Sequence, residues 1–260
     1  MRLELVQGNE VLFDREKNAS FIMERLDKSD AELIVFPELF LTGYVINERA
    51  FELAENRSSK LMREIALKAK KKKKSLIFGG VEEDEAVKGV YYNSAFVIDE
   101  HGEIGTYRKI SLPNFGPFNE KRFFREGKET RAFTLNGARV GVLICYDLFF
   151  PALSSSLMGS DVLVYISASP YTSKSAFEAL LGARAIENSL YVVYVNMTGR
   201  EESTLFWGGS RVIDPSGMEL TRMGYFERGI GQASIDLDRL SILRTRRPVI
   251  RDTKEIKGDR

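Results

Sequence analysis

The sequence predicts a layered α/β fold with mixed strand pairing. Short β-rich runs alternate with charged segments whose apolar residues recur at helical spacing. Several neighbouring β-rich runs are joined by tight turns, at residues 99–102 and at Asn136-Gly137 among others, so they read as hairpins. The chain has 260 residues, 43% hydrophobic and 29% charged, which is ample for a sizeable core. Alternation argues for helices layered on sheets, and the hairpins argue against a purely parallel sheet.

Taken in order, LELVQG (3–8) alternates and then reaches glycine, which predicts a strand. Residues 14–29 are charged, with Phe21, Ile22 and Leu26 on one helical face. ELIVFPELF (32–40) is a short β-rich run stopped by Pro37. Residues 58–74 predict a helix with Ser58 or Ser59 as N-cap and lysines against the C-terminal dipole. Residues 75–82, 89–99 and 102–110 read as three strands, the last two joined by DEHG. An irregular stretch, 111–127, holds two prolines and two glycines. A hairpin over 131–145 and a helix over 151–159 follow. Next come a strand (160–169), a long helix (173–189) and a strand (190–197). The chain then makes a hairpin (207–220) turning at residues 214–217, and a strand running into a short helix (229–240). With no repeat or linker in view, the reading is a single domain, 1–260. Its polar, basic tail (about 244–260) is either disordered or laid across a partner subunit.

Composition narrows the function classes. The net charge is +1, which does not argue for a polyanionic partner. The lysine run 70–74 is read as a solvated helix end, not a nucleic-acid stripe, because the whole is neutral. A single cysteine excludes an intrachain disulfide. No secretion signal and no apolar run of membrane-spanning length is visible, so the expected place is the cytoplasm, with no membrane partner.

That cysteine, Cys145, ends the apolar run VGVLI and precedes YDLFFP. A free cysteine in an apolar strand is usually inert packing. The carboxyl end of a central strand is also where α/β folds place reacting groups. A sharp turn there would expose the sulfur and leave backbone N–H groups free for an oxyanion. Cysteine nucleophiles normally pair with histidine. The only one, His101, sits in the DEHG turn and reads as a solvated turn residue, so another group must take the thiol proton. Glu38 follows Pro37 just past a buried strand, and a desolvated carboxylate there is a usable base. Lys109 ends a strand before an aromatic, Pro/Gly-shaped loop. It is either a snorkelling edge lysine or a cation held where negative charge develops.

FPELFLTGY, YRKISLPNFGPFNEKRFF and ICYDLFFP, in this order and spacing, resemble the three signature blocks of the nitrilase superfamily of carbon–nitrogen hydrolases. The likeness continues through SASPYTSKSAFEALLGARAIENSLYVVYVN and WGGSRVIDPSG and covers roughly residues 1–240. It implies a four-layer α-β-β-α sandwich with mixed sheets, packed as a homodimer or a higher even oligomer. It also implies a Glu38, Lys109 and Cys145 triad. Glu38 would be the base and Cys145 the nucleophile that forms a thioester. Lys109 would stabilise the oxyanion with the Tyr146 backbone N–H, and Glu120 would be a second glutamate beside the triad. A nearby cation also favours the thiolate. No metal and no cofactor is implied. Tyr44, Phe115, Phe118, Tyr146 and Tyr171 lie in the blocks that would line the pocket, or else serve as core packing.

The implied activity is hydrolysis of a small-molecule amide, with nitrile hydrolysis or glutaminase action for a partner enzyme as alternatives. A binding protein that kept the fold without the chemistry is the rival from another class. The LPNFGPFNEKRFF, SASPY and GARAIENSLYVVYVN blocks are similar to the glutaminase domain of glutamine-dependent NAD synthetase, and no synthetase domain is expected. Tyr146 stands where that domain carries glutamate. Phe149 and Ala152 replace the arginine and glutamate of the RFPE common among stand-alone amidases.

Overall fold

In chain order, β1 (Arg2–Gln7), α1 (Arg15–Lys28), β2 (Leu33–Val35), α2 (Glu48–Glu52), α3 (Lys60–Lys72) and β3 (Ser75–Glu83) come first. β4 (Tyr91–Ile98), β5 (Ile104–Arg108), α4 (Glu120–Phe123), β6 (Arg131–Leu135) and β7 (Ala138–Ile144) follow. A 3-10 turn (Cys145–Phe149) leads to α5 (Pro151–Ser156), β8 (Val162–Ser167), α6 (Lys174–Asn188) and β9 (Tyr191–Asn196). β10 (Thr198–Glu201), β11 (Thr204–Trp207), β12 (Arg211–Ile213), β13 (Glu219–Arg222), β14 (Gly229–Ser234), α7 (Leu237–Arg246) and α8 (Val249–Asp252) complete it. This computed structural model describes residues 1–8, 10–45, 48–116 and 118–253.

Two six-stranded sheets form, ordered β14-β1-β2-β3-β4-β5 and β13-β12-β9-β8-β7-β6. In each, a parallel centre (β1-β2-β3; β7-β8-β9) is flanked by antiparallel strands, so the sheets are mixed. Strand parity then builds the layers. Leu5, Val35, Ile77 and Val97 face the second sheet and share one core with Val140, Val142, Val164 and Val193. Their neighbours Val6, Ile34, Phe36, Phe78 and Phe96 face outward, onto Ile22 and Leu26 of α1 and Met62 and Ile65 of α3. α6 closes the far side with Phe177, Leu181 and Ala185. The result is the four-layer α-β-β-α sandwich. Each buried Leu, Ile or Phe contributes about 1.5–3 kcal/mol of transfer free energy.

Local signals behave as their chemistry dictates. Asp14 caps α1 by accepting from Lys17 N at 3.0 Å, and Ser59 caps α3 by accepting from Met62 N at 3.3 Å. Asn136 and Gly137 take φ of 47° and 81°, the left-handed pair that a two-residue hairpin needs. Lys68 and Lys72 pair with Asp27 at 2.6 and 2.9 Å, and Lys74 donates to the Leu26 and Ser29 carbonyls. The lysine run therefore ties α3 to α1 as well as ending a helix.

Three expectations change. α4 forms inside the stretch read as irregular, and the hairpin β10–β11 falls where no element was expected. Of the two readings of the tail, disorder does not hold up to residue 253: α7 runs on to Arg246 and α8 follows. Arg244 anchors this part to its own chain, donating to the Ser189 carbonyl at 3.0 Å and facing Asp161 at 3.4 Å. Residues 254–260 lie outside the described residues. Among the described residues, no helix is long and apolar enough to cross a membrane.

Candidate active site

Glu38, Lys109 and Cys145 arrive from three strand ends. Glu38 lies in the turn after β2, Lys109 directly follows β5, and Cys145 directly follows β7. Lys109 keeps the parity of Tyr107, which points between the sheets, so its long side chain is buried there at 1% exposure.

The lysine ammonium sits between two carboxylates. Its Nζ donates to Glu38 Oε1 at 2.7 Å and to both oxygens of Glu120 at 2.9 Å. Glu38 also accepts from Asn93 Nδ2 at 2.8 Å and, through Oε2, from the Ala168 backbone N–H at 2.8 Å. Glu120 accepts from the Tyr44 hydroxyl at 2.9 Å and from Asn93 Nδ2 at 3.3 Å. Both carboxylates are buried. Neither Glu38 nor Glu120 is the surface charge that each would be if viewed alone.

Electrostatics follows from this packing. Burial alone would strip Lys109 of its proton, but Glu120 and Glu38 outweigh it and hold the ammonium firmly charged. Burial pushes the Glu120 carboxyl up, against the pull of Lys109. The Cys145 thiol is pushed well above its ordinary range by burial and by Glu38, with Lys109 opposing and Glu120 adding to the rise. Lys109 favours the thiolate, as expected, but its pull does not prevail. Two carboxylates and a dry site outweigh one cation, and the thiol needs a base to give up its proton.

Cys145 has φ of 46°, the left-handed region that costs a non-glycine residue about 1–2 kcal/mol. It opens the 3-10 turn and is 8% exposed. The buried guanidinium of Arg184, on α6, holds this turn from behind by donating to the Leu148 carbonyl at 2.9 and 3.1 Å. The first N–H groups of a helical turn have no partner inside it, so they are open to an incoming oxygen.

Aromatic residues surround the cluster. Tyr44 meets Phe118 edge-on at 6.4 Å, Phe118 meets Phe115 at 5.7 Å, and Phe115 meets Tyr146 at 5.2 Å. A cleft of about 210 Å³ reaches Glu120 between Tyr44, Phe118 and Glu201. A wider one of about 540 Å³ runs past Ser111, Phe115, Tyr146 and Phe150. Tyr171 lies apart from this ring. It is 53% exposed and packs on Phe226 at 5.5 Å. His101 is exposed in its turn, beside Glu100 at 3.6 Å. Among the described residues, no group of three or more His, Cys, Asp or Glu is arranged to hold a metal ion.

Sequence reasoning missed Asn93, whose amide bridges Glu38 and Glu120. Its signal was a lone amide inside the apolar strand YYNSAFVI, where a buried polar side chain needs partners. Gly79 is a second omission. A methyl group there would lie 2.1 Å from the Leu39 nitrogen and 2.6 Å from Glu38 Cα. Gly79→Ala should cost roughly 1–3 kcal/mol in denaturant titration and displace Glu38. Gly80→Ala should cost less, because its methyl would meet only side-chain atoms at 3.1 and 3.3 Å. Equal costs would contradict the close approach.

The sequence matches the carbon–nitrogen hydrolase family over residues 2–245. It is 34% identical to a glutamine-dependent NAD(+) synthetase of Thermotoga maritima over 95% of this chain, which spans only 44% of that relative's length. It is 33% identical to a nitrilase of Pyrococcus abyssi, with 100% of this chain and 97% of that one covered. The crystal structure of an amidase from Nesterenkonia sp. superposes with a TM-score of 0.79 at 27% identity, covering 95% of both chains. The chain belongs to the carbon–nitrogen hydrolase family, the nitrilase superfamily.

Proposed function

We propose that the chain hydrolyses a small amide through a thioester on Cys145. The observation that carries this reading is a lysine ammonium held by two buried carboxylates beside the chain's one thiol. Glu38 takes the Sγ proton as sulfur attacks the carbonyl carbon. The carbonyl π pair moves to oxygen, where Lys109 Nζ and the Tyr146 N–H stabilise the oxyanion. As the oxyanion collapses, the C–N bond breaks and the proton passes from Glu38 to the departing nitrogen. Ammonia or an amine leaves, and an acyl thioester remains. Glu38 then deprotonates a water that attacks the thioester, releasing a carboxylic acid and restoring the thiol. Glu120 keeps Lys109 charged and in place.

This division of labour suits the neutral thiol described above. A cysteine that is not ionised at rest needs its base within the same dry cluster, and Glu38 is that base. Three donors fix the Glu38 carboxylate, so little reorganisation accompanies the proton transfer.

The test is product formation from a panel of amides, carbamoyl amines, glutamine and nitriles, read as carboxylate. Amides are expected to turn over fastest, with nitriles slower. Glutamine is expected to be poor, because Tyr146 stands where the glutaminase domains carry glutamate. Faster turnover of nitriles, or saturable and preferred turnover of glutamine, would replace the amidase reading with one of its alternatives.

A further inference from the structure

Asp147 is fully buried two residues past Cys145. Its Oδ2 accepts from the Tyr107 hydroxyl at 2.8 Å and from the Ile144 backbone N–H at 3.0 Å. Its Oδ1 accepts from the Ser111 backbone N–H at 2.8 Å. Tyr107 and Ser111 stand two residues to either side of Lys109, and Ile144 directly precedes Cys145. One carboxylate therefore grips the lysine-bearing segment on both sides and the backbone entering the nucleophile's turn. The two segments belong to different sheets, β5 being the edge of one and β7 an inner strand of the other.

A buried carboxylate is costly unless its lone pairs are satisfied, and Asp147 is placed where three donors converge. Burial pushes its carboxyl up, while Lys109 and the Ile144, Ser111 and Tyr107 donors pull it back. Arg184 secures the same turn from the α6 side, donating to Leu148 and Glu187, which lie outside the lysine segment. Asp147 is thus the group that joins the two.

We propose that Asp147 is a positioning residue that fixes the register between the Cys145 sulfur and the Lys109 ammonium. It rests on the reading of Cys145 as nucleophile and Lys109 as oxyanion partner. Asp147 does not touch the substrate. It sets the geometry in which the attacking sulfur and the stabilising cation meet one carbonyl group. Misplacing such a pair by about 1 Å costs on the order of a hundredfold in rate. The effect falls on the transition state, where the oxyanion exists, and leaves ground-state binding largely alone.

Asp147→Asn keeps the shape but turns one acceptor into a donor facing other donors. Its kcat is expected to fall by about 10- to 100-fold with KM within about threefold of native. Tyr107→Phe removes one of the three bonds and should lower kcat by about 3- to 10-fold in the same direction. Circular dichroism melting establishes that each variant is folded. A folded Asp147→Asn with kcat within twofold of native, or a loss residing in KM, would overturn the proposal. If Asp147→Asn does not fold, Tyr107→Phe decides by the same criterion. An active native chain with indifferent variants overturns only the positioning role. A native chain that hydrolyses no amide overturns the hydrolase mechanism and this role with it.

Discussion

Replacing Lys109 by methionine is expected to remove both stability and activity. The lysine is 1% exposed and bonds Glu38 at 2.7 Å and Glu120 at 2.9 Å. Methionine fills a similar volume but leaves two carboxylates buried side by side without their counter-ion. Removing one member of a buried ion pair costs about 3–5 kcal/mol, because the remaining charge stays desolvated. Turnover should fall by a further factor of about 10²–10³ or more, the effect of losing an oxyanion donor. The double variant Lys109→Met, Glu120→Gln separates the two effects. Neutralising Glu120 should recover part of the stability, measured by denaturant titration, and none of the turnover. A stable, active single variant would contradict both roles of the lysine.

Glu38→Gln carries the second large effect. Glutamine is nearly isosteric, but it cannot accept the thiol proton, and it has one acceptor oxygen for the donors now converging from Lys109, Asn93 and Ala168. Turnover should fall by about 10²–10⁴, the span of general base catalysis. The thiol itself should respond with a definite sign. Burial and the Glu38 charge both push the Cys145 thiol up, so removing that charge lowers the pH at which thiolate forms. Iodoacetamide modification followed against pH should therefore show a midpoint in the variant below that of the native chain. An unchanged or raised midpoint would mean that Glu38 does not act on the sulfur.

The legible part of this molecule was what local chemistry dictates. Asn136-Gly137 specified its turn because both residues need positive φ, and Ser59 specified its helix start by capping. β1 was legible from its alternation, and β2 and β3 because their runs LIV and LIF are apolar at inward and outward positions alike, as expected of a sheet covered on two faces. Glu38, Lys109 and Cys145 were singled out because each chemically capable residue follows a buried strand. The three signature blocks then joined them.

What stayed hidden depends on contacts across the sandwich. Nothing near Asn93 in sequence shows that its amide spans two carboxylates 55 and 27 residues away. Asp147 looked like one more residue after the cysteine, because its partners Tyr107 and Ser111 belong to the other sheet's edge. The sign of the thiol's shift was hidden for the same reason. A lysine alone favours thiolate, and only the assembled cluster shows that burial and two glutamates prevail. The β10–β11 hairpin was missed because TGREESTLFW offers few alternating apolar positions, and its pairing is fixed by tertiary packing of Phe206 and Trp207.

Glutamine turnover is a weaker expectation for this chain than its likeness to synthetase glutaminase domains would suggest. Tyr146 is part of the aromatic wall, 5.2 Å from Phe115 and 5.1 Å from Phe150. A carboxylate in its place would face those rings instead of an ammonium partner. An apolar wall of this kind suits an uncharged substituent next to the scissile bond.

The central claim is that Cys145 is the nucleophile of an amide hydrolase. The most direct measurement is carboxylate formation by the native chain and by Cys145→Ala on the amide that the native chain turns over fastest. The account predicts saturable turnover by the native chain and background alone from the alanine variant, with both equally folded. Equal rates from the two chains would contradict it, because the chain has no second thiol to take over the attack.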